Sequence, residues 1–298
     1  MVEELLSSEA VCINVCNGAH EAEARAVLEG LPFDRLTFHR IPTNEPWCRD
    51  HGPIFLTRPA AAGRLAIVDW DYNAWGGKYP PCDLDEVVPT RVGEILGVPV
   101  FYPHMILEGG SIDVNGAGAV LTSESCLLNP NRNPTLGRAE IERRLRDYLG
   151  VTEILWLGDG IEGDDTDGHV DDLARFVSER RVVTVVEENR GDSNYEPLRE
   201  NLARLRAMKW GGAPLEVVTL PMPAKIVRED LRLPASYANF YIANECVLLP
   251  TFNDPQDAAA VSTLQELFPS RRIVPIDCTE LIWGLGAFHC LTQQEPAV

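Results

Sequence analysis

The sequence predicts an α/β protein assembled from a diverged internal repeat, each copy holding a hairpin and a helix. Two observations carry that prediction. Helical and strand-like segments alternate along the whole chain, with no low-complexity linker, block of like charge or sharp composition shift between them. One pattern also recurs: a small residue, alternating apolar and polar residues, a turn, then an apolar strand. It appears in RDHGPIFLTRPAAAGRLAIVD, GGSIDVNGAGAVLTS, DGHVDDLARFVSERRVVTVV, ASYANFYIANECVLLP and LGAFHCLTQQ. The polar residues Asp50, Asp113, Asp171, Asn239 and Cys290 of these segments are spaced by 63, 58, 68 and 51 positions, a regularity expected of a repeat. Copies arranged about an axis would bring such positions together at the centre.

The helices follow in order. Residues 19–30 form one candidate and 85–97 a weaker one, broken by Pro89. Helical periodicity is clear over 138–149, through Ile141, Leu145 and Leu149, and over 195–208, through Leu198, Leu202 and Leu205. Asp254-Pro255 supplies an N-cap and a first-turn proline for a fifth helix, whose stripe is Val261, Leu264, Leu267 and Phe268. Between them lie β-type runs such as RVVTVV, CVLLPTF and RIVPID.

Composition bounds the function. Hydrophobic residues make up 45% of the 298, enough for a sizeable core, and no stretch approaches the ~20 apolar residues that span a bilayer. Acidic residues precede the short apolar run near the N-terminus, which argues against a secretion signal and for a cytoplasmic protein. The net charge of −19 repels nucleic acid and anionic membrane and draws cations to any cleft lined by carboxylates. None of the eight cysteines forms a Cys-x-x-Cys pair or a zinc-site spacing, so small buried hydrophobes are the ordinary reading of each.

Four places could carry chemistry. His169 and Asp171 in GHVDD stand two apart, which on a strand directs both to one face, as pocket residues, solvated edge residues or zinc ligands. Glu108 precedes two glycines, a sign of a tight turn or of backbone that must approach something closely. Trp47, Arg49 and Asp50 combine an aromatic with a carboxylate, suited to a flat cation, or else hold a structural ion pair. Cys290 follows Gly284 and Gly286 and is set apart from the other cysteines by its repeat register.

Together WCRDHGP, EGGSIDVNG, LLNPNRNP, DDTDGHVDD, ASYANFYIAN, FNDPQD and GAFHCLTQQ, in this order from about residue 40 to the C-terminus, resemble the agmatine deiminase family, related to the bacterial type of peptidylarginine deiminase. The resemblance implies a single domain over residues 1–298, a five-bladed α/β-propeller of ββαβ repeats with its site on the axis. It implies Cys290 as nucleophile, His169 as general acid and base, and Glu108 as partner of the histidine. Asp50 and Asp171 would bind the guanidinium and Trp47 would line the substrate channel. Asn239, level with them in the repeat register, is expected at the substrate too. The implied reaction converts agmatine and water to N-carbamoylputrescine and ammonia, in polyamine synthesis or agmatine breakdown, with no metal or organic cofactor. A small guanidinium cation is the expected partner, and assembly into a homo-oligomer is left open.

Family members begin several dozen residues earlier, with a Trp-bearing strand, so the expectation is an incomplete first blade with an open edge at Val11 and an incomplete pocket entrance. Three other readings compete: a deiminase of free or peptidyl arginine, which wants a basic residue at the pocket mouth; a metal-dependent hydrolase on His169, Asp171, Glu108 and Asp50; and an inactive propeller. Cys48, Cys126 and Cys246 are expected to tolerate serine with little loss of rate.

Overall fold

The structure is a computed structural model and describes residues 1–58 and 64–298. The α/β expectation holds, and the repeat is visible as five units. In the second, the strand Ile54–Thr57 runs antiparallel to Leu65–Val68, and the helix Val88–Leu96 leads to Val100–Phe101, parallel to the middle strand. The third repeats this with Ile112–Val114, Ala119–Ser123, the helix Arg138–Leu149 and Glu153–Leu157. The fourth uses Ala174–Phe176, Arg181–Val186, the helix Tyr195–Ala207 and Glu216–Pro221. The fifth uses Tyr241–Ile242, Cys246–Thr251, the helix Asp257–Leu267 and Arg272–Asp277.

The first unit differs. Its sheet pairs two parallel strands, Val11–Asn14 and Leu36–His39, across the helix Gly18–Val27, with no antiparallel partner beside Val11–Asn14 among the described residues. That helix buries none of its residues, so it is the most lightly packed of the five. The chain start is nevertheless fastened: Leu5 joins the largest apolar cluster, and the Glu4 carboxylate pairs with Arg272 at 2.5 Å in the fifth unit.

Burial explains the middle strands. Ala119–Ser123 is buried at every position, as are the first five residues of Cys246–Thr251. A strand covered on both faces reads as a continuous apolar run, which is why RVVTVV and CVLLPTF were legible without alternation. Ile141 and Leu145, four apart, bury one stripe of their helix. In the helix Tyr195–Ala207 the buried positions are Leu198, Asn201 and Leu205. The Asn201 carboxamide accepts from Gly158 N–H at 2.7 Å and donates to Asp159 O at 2.8 Å, satisfying loop backbone of the third unit.

Several sequence boundaries need correction. Pro89 does not break its helix but sits in the first turn of Val88–Leu96, where its missing N–H costs nothing. Asp254 is not an N-cap: its carboxylate accepts from Gln256 N–H at 2.8 Å in a turn, and the helix starts at Asp257. The first helix ends at Val27, because Leu28 leaves helical geometry at φ −95° and ψ 12°. The turn of the RDHGPIFLTRPAAAGRLAIVD hairpin lies outside the described residues. Among those described, no helix is long and apolar enough to cross a membrane.

The contrast in packing is testable by chemical denaturation. Leu248→Ala removes a fully buried side chain and should cost about 2–5 kcal/mol. Val27→Ala, at a position 84% exposed, should change stability by less than about 0.5 kcal/mol.

Candidate active site

Cys290 lies beyond the last strand, after a 3-10 turn at Leu281–Gly284. Its loop is clamped against the Trp47 segment. A Cβ on Gly286 would fall 2.5 Å from the Trp47 ring, so only glycine lets the indole lie there. Arg49 N–H donates to Cys290 O at 3.0 Å, and Arg49 Nε donates to His289 O at 3.2 Å. Asn239 secures the other side. Its Oδ1 accepts from His289 N–H at 3.0 Å, and its Nδ2 stands 3.1 Å from the Cys290 sulfur and 3.0 Å from Asp172 Oδ1. Asn239 is therefore engaged with the cysteine and its neighbours rather than with the cavity wall.

Asp50 sits in a single helical turn, Cys48–His51. Its Oδ2 accepts from the Trp75 indole N–H at 2.9 Å and its Oδ1 from Gly110 N–H at 3.0 Å. Gly110 explains the paired glycines after Glu108. A Cβ there would come within 2.5 Å of His169 Nδ1 and 2.7 Å of Asp50 Oδ1. His169 and Asp171 do converge, but not as alternate residues of one strand. His169 precedes a 3-10 turn, Val170–Asp172, that contains Asp171, and the strand begins only at Ala174. Asp171 Oδ2 meets His289 Nδ1 at 2.6 Å and lies 3.9 Å from the Cys290 sulfur. Its Oδ1 is buried without a hydrogen-bond partner among the described residues.

The two nitrogens of His169 face different surroundings. Nδ1 lies 3.6 Å from Asp50 Oδ1, while Nε2 lies 4.0 Å from Glu108 Oε2. Asp50 and Glu108 thus stand on opposite edges of the ring, so the four ligands of the metal-hydrolase reading do not face one point. Glu108 is held from behind by Arg132, whose Nε donates to Oε1 at 2.6 Å and whose Nη1 reaches Asp167 at 2.6 Å. Asp113, though in the repeat register, is absent from this cluster: it pairs with Arg175 at 2.7 Å.

The charges are interdependent. Burial alone would depress the His169 imidazole, but Asp50 and the neighbouring Cys126 and Glu108 carry it well above its ordinary value. Burial pulls the Glu108 carboxyl up, yet His169 and Arg132 together hold it below the usual range. The Cys290 thiol is raised well above its usual value by burial, then by Asp171, Asp172 and Asp50. The pocket without substrate accordingly favours an imidazolium beside a protonated thiol.

A cavity of about 290 Å³ opens onto Cys290 and Asp50. Trp47, Trp75 and Trp283 form apolar walls, and Glu45 and Asp165 add two further acids. Tyr79 donates to Asp165, fixing that carboxylate at the mouth. No arginine or lysine lines the cavity among the described residues.

The structure thus brings Trp47, Asp50, Glu108, His169, Asp171, Asn239 and Cys290 together. Sequence reasoning gave no role to Arg132, His289, Trp75, Trp283 or Cys126. Arg132 lay within LLNPNRNP, where a lone arginine among asparagines and prolines was the available signal. Cys126, expected to be inert, lies against the His169 ring.

Burial pushes the Asp171 carboxyl up to about 7. A carboxyl raised on folding binds its proton more tightly in the native state. Its contribution to stability is full below about pH 4, the unfolded value, and is lost as pH rises to about 7. Asp171→Asn should therefore melt increasingly above the wild type as pH rises through that window, with little pH dependence of the difference beyond it. A difference independent of pH from 4 to 7 would show that Asp171 titrates normally.

The chain resembles known proteins over nearly its whole length. The family model described as Porphyromonas-type peptidyl-arginine deiminase matches residues 1–296. The agmatine deiminase of Ectopseudomonas mendocina is 36% identical over 310 residues, covering 96% of this chain and 83% of that protein. The structure of the Enterococcus faecalis agmatine deiminase, described as catalysing its reaction, superposes with a TM-score of 0.91 at 35% identity, covering 98% of this chain and 85% of that one. A C. jejuni agmatine deiminase with its C315S substitution and substrate bound gives 0.89 at 31% identity, covering 98% and 84%. The chain belongs to the Porphyromonas-type peptidyl-arginine deiminase family.

Proposed function

We propose that this protein hydrolyses agmatine to N-carbamoylputrescine and ammonia through a covalent intermediate on Cys290. The observation that carries the substrate is the cavity lining: three carboxylates, Glu45, Asp50 and Asp165, apolar indole walls, and no basic residue among the described positions. Agmatine is a dication with a four-carbon middle. Its guanidinium suits Asp50 and Asp171, its methylenes the indoles, and its amine the acids at the mouth. An arginine would bring its α-carboxylate against Glu45 or Asp165. At about 5 Å and an effective dielectric of about 20, that repulsion is about 3 kcal/mol, roughly a hundredfold in affinity. Agmatine should exceed arginine by about that factor in kcat/KM, and equal rates would overturn the assignment.

The reaction follows from the charges. A guanidinium entering between Asp50 and Asp171 donates to both and supplies the positive charge that their burial requires. The same cation lowers the cost of ionising Cys290, and Asn239 Nδ2, 3.1 Å from the sulfur, can donate to the thiolate. The thiol proton leaves to solvent, since His169 is already charged, and the thiolate adds to the guanidinium carbon. The imidazolium of His169 protonates one nitrogen, which leaves as ammonia, and an amidino-thioether remains. Neutral His169 then takes a proton from water as it attacks the same carbon; the C–S bond breaks to release the thiolate, and the new hydroxyl gives up its proton to solvent, where ammonia takes it up as ammonium, leaving the neutral ureido product. Glu108, gripped by Arg132, keeps the ring charged until the proton is needed.

The same reading arranges the five units as blades of one α/β-propeller domain around the site. It is supported by the origin of Asp50, Gly110, Asp171, Asn239 and Cys290 in corresponding segments of successive repeats.

Cys290→Ser should abolish ammonia release while retaining agmatine binding by calorimetry, and acid-quenched wild type should carry an adduct on Cys290 by mass spectrometry. Full turnover in the serine variant would remove the mechanism. Asp50→Asn puts an amide donor against substrate donors. With a charged hydrogen bond worth ~1.5–3 kcal/mol, kcat/KM should drop roughly tenfold or more in steady-state assays.

A further inference from the structure

Behind the His169 ring, on the edge turned away from the cavity, three side chains of metal-binding type meet. The donor atoms of Glu108, Cys126 and His169 lie within 4.8 Å of one another, and all three residues are buried. Among the described residues Glu108 Oε2 and His169 Nε2 have no hydrogen-bond partner, although both are sealed from solvent. Two unpartnered buried polar atoms beside a thiol are an unusual arrangement to leave standing, since each orphaned group carries a desolvation cost.

We propose that this cluster is a site for zinc, and that zinc bound there inhibits the enzyme by taking the rear nitrogen of its acid–base histidine. The donor set is one nitrogen, one sulfur and one oxygen, which zinc accepts readily. Zinc bonds of about 2.0 Å to nitrogen and oxygen and about 2.3 Å to sulfur separate tetrahedral ligands by roughly 3.3–3.8 Å. The 4.0 Å between Nε2 and Oε2, and the spread of the three donors within 4.8 Å of one another, therefore need a contraction of roughly 0.5–1 Å on binding. Arg132 does not block the ion, because it engages the other oxygen, Oε1, and shares its charge with Asp167. A water completes the fourth position.

The exchange conserves buried charge, with the ion competing against the two protons it displaces. With His169 protonated, the cluster holds an imidazolium, a carboxylate and a neutral thiol. Binding expels the Nε2 proton and the thiol proton to solvent and admits one Zn²⁺. Two unit charges leave and two arrive, so the buried net charge is unchanged and the surrounding carboxylates need no new compensation. The ring that results cannot hold a second proton at Nε2 and cannot act as an imidazolium. This inhibitory consequence rests on the proposed role of His169. The binding site itself does not.

Cobalt(II) tests the site without turnover, because it takes the same donors and gives a near-ultraviolet charge-transfer band when a thiolate is bound. Cys12 and Cys16 are exposed, so the experiment uses the Cys12→Ser/Cys16→Ser protein. One cobalt per chain should bind with a thiolate band that persists in Cys290→Ser and is lost in Cys126→Ser and Cys126→Ala. Zinc should displace the cobalt. In ammonia-release assays the Cys126 variants should need at least a tenfold higher zinc concentration for half inhibition. Loss of the band in Cys290→Ser, or its persistence in both Cys126 variants, overturns the site. Should neither Cys126 variant fold by thermal melt, zinc-edge X-ray absorption on the parent protein with Cys290 alkylated decides it: one sulfur with nitrogen and oxygen supports the site, and a shell without sulfur overturns it. A cobalt band with the expected pattern but no zinc inhibition of an active enzyme would leave the site standing and remove only the role of His169.

Discussion

Four carboxylates, those of Asp50, Glu108, Asp171 and Asp172, are buried around the Cys290 and Cys126 thiols and the His169 and His289 imidazoles, and the need to compensate them organises this pocket. Each is answered differently. Glu108 has a full cation in Arg132. Asp50 has the indole N–H of Trp75 and the backbone N–H of Gly110. Asp172 has the amide of Asn239, and burial with Asp171 beside it raises its carboxyl well above the normal range. Asp171 has His289 on one oxygen and, among the described residues, no hydrogen-bond partner on the other. The positive charge is therefore short at the end of the pocket nearest Cys290, and a guanidinium is the planar, permanently charged group that fits the deficit.

That deficit links binding to reactivity in the proposed reaction. The carboxylates that would capture the substrate also keep the thiol protonated in its absence. A cation between them reverses the effect on the sulfur it is about to meet. Specificity and nucleophile activation then share one electrostatic origin, and a neutral molecule of the same shape would obtain neither. The acids at the mouth extend the preference to a second cationic end.

Holding such a cluster demands rigidity, which the scaffold supplies through backbone rather than side-chain bulk. The Trp47–Asp50 and His289–Cys290 segments exchange main-chain contacts, and Asn239 binds both peptide N–H groups beside the sulfur. Glycines at 110 and 286 let an imidazole and an indole lie directly on the chain. The cost appears behind His169, where Glu108 Oε2 and Nε2 stand close without reaching hydrogen-bond distance. A ring held this way is free to gain and lose a proton on its substrate edge, and its rear edge is open to a competing cation.

The amino-acid sequence by itself determined the α/β class, the repeat and most of the cluster, because these depend on local patterns. Buried middle strands read as apolar runs, helices as stripes of period 3.6, and GHVDD, WCRD and AFHC as polar residues where a repeat should be apolar. Ordered motifs then pointed from Trp47 to Cys290. Tertiary structure alone decided which polar residues meet. Asp113 holds the repeat register yet pairs with Arg175, while Glu108, five positions earlier, turns inward on the Gly109-Gly110 bend. Arg132, Trp75 and Cys126 reach the site from loops and a short turn whose direction no periodicity encodes. The electrostatics lay further still from the sequence, since the shifts of Asp171, His169 and Cys290 arise from burial and from neighbours as distant in the chain as Asp50 is from Cys290. Spacing along a chain can state which groups are available; only folding sets the distances and the solvent exclusion that determine their charge.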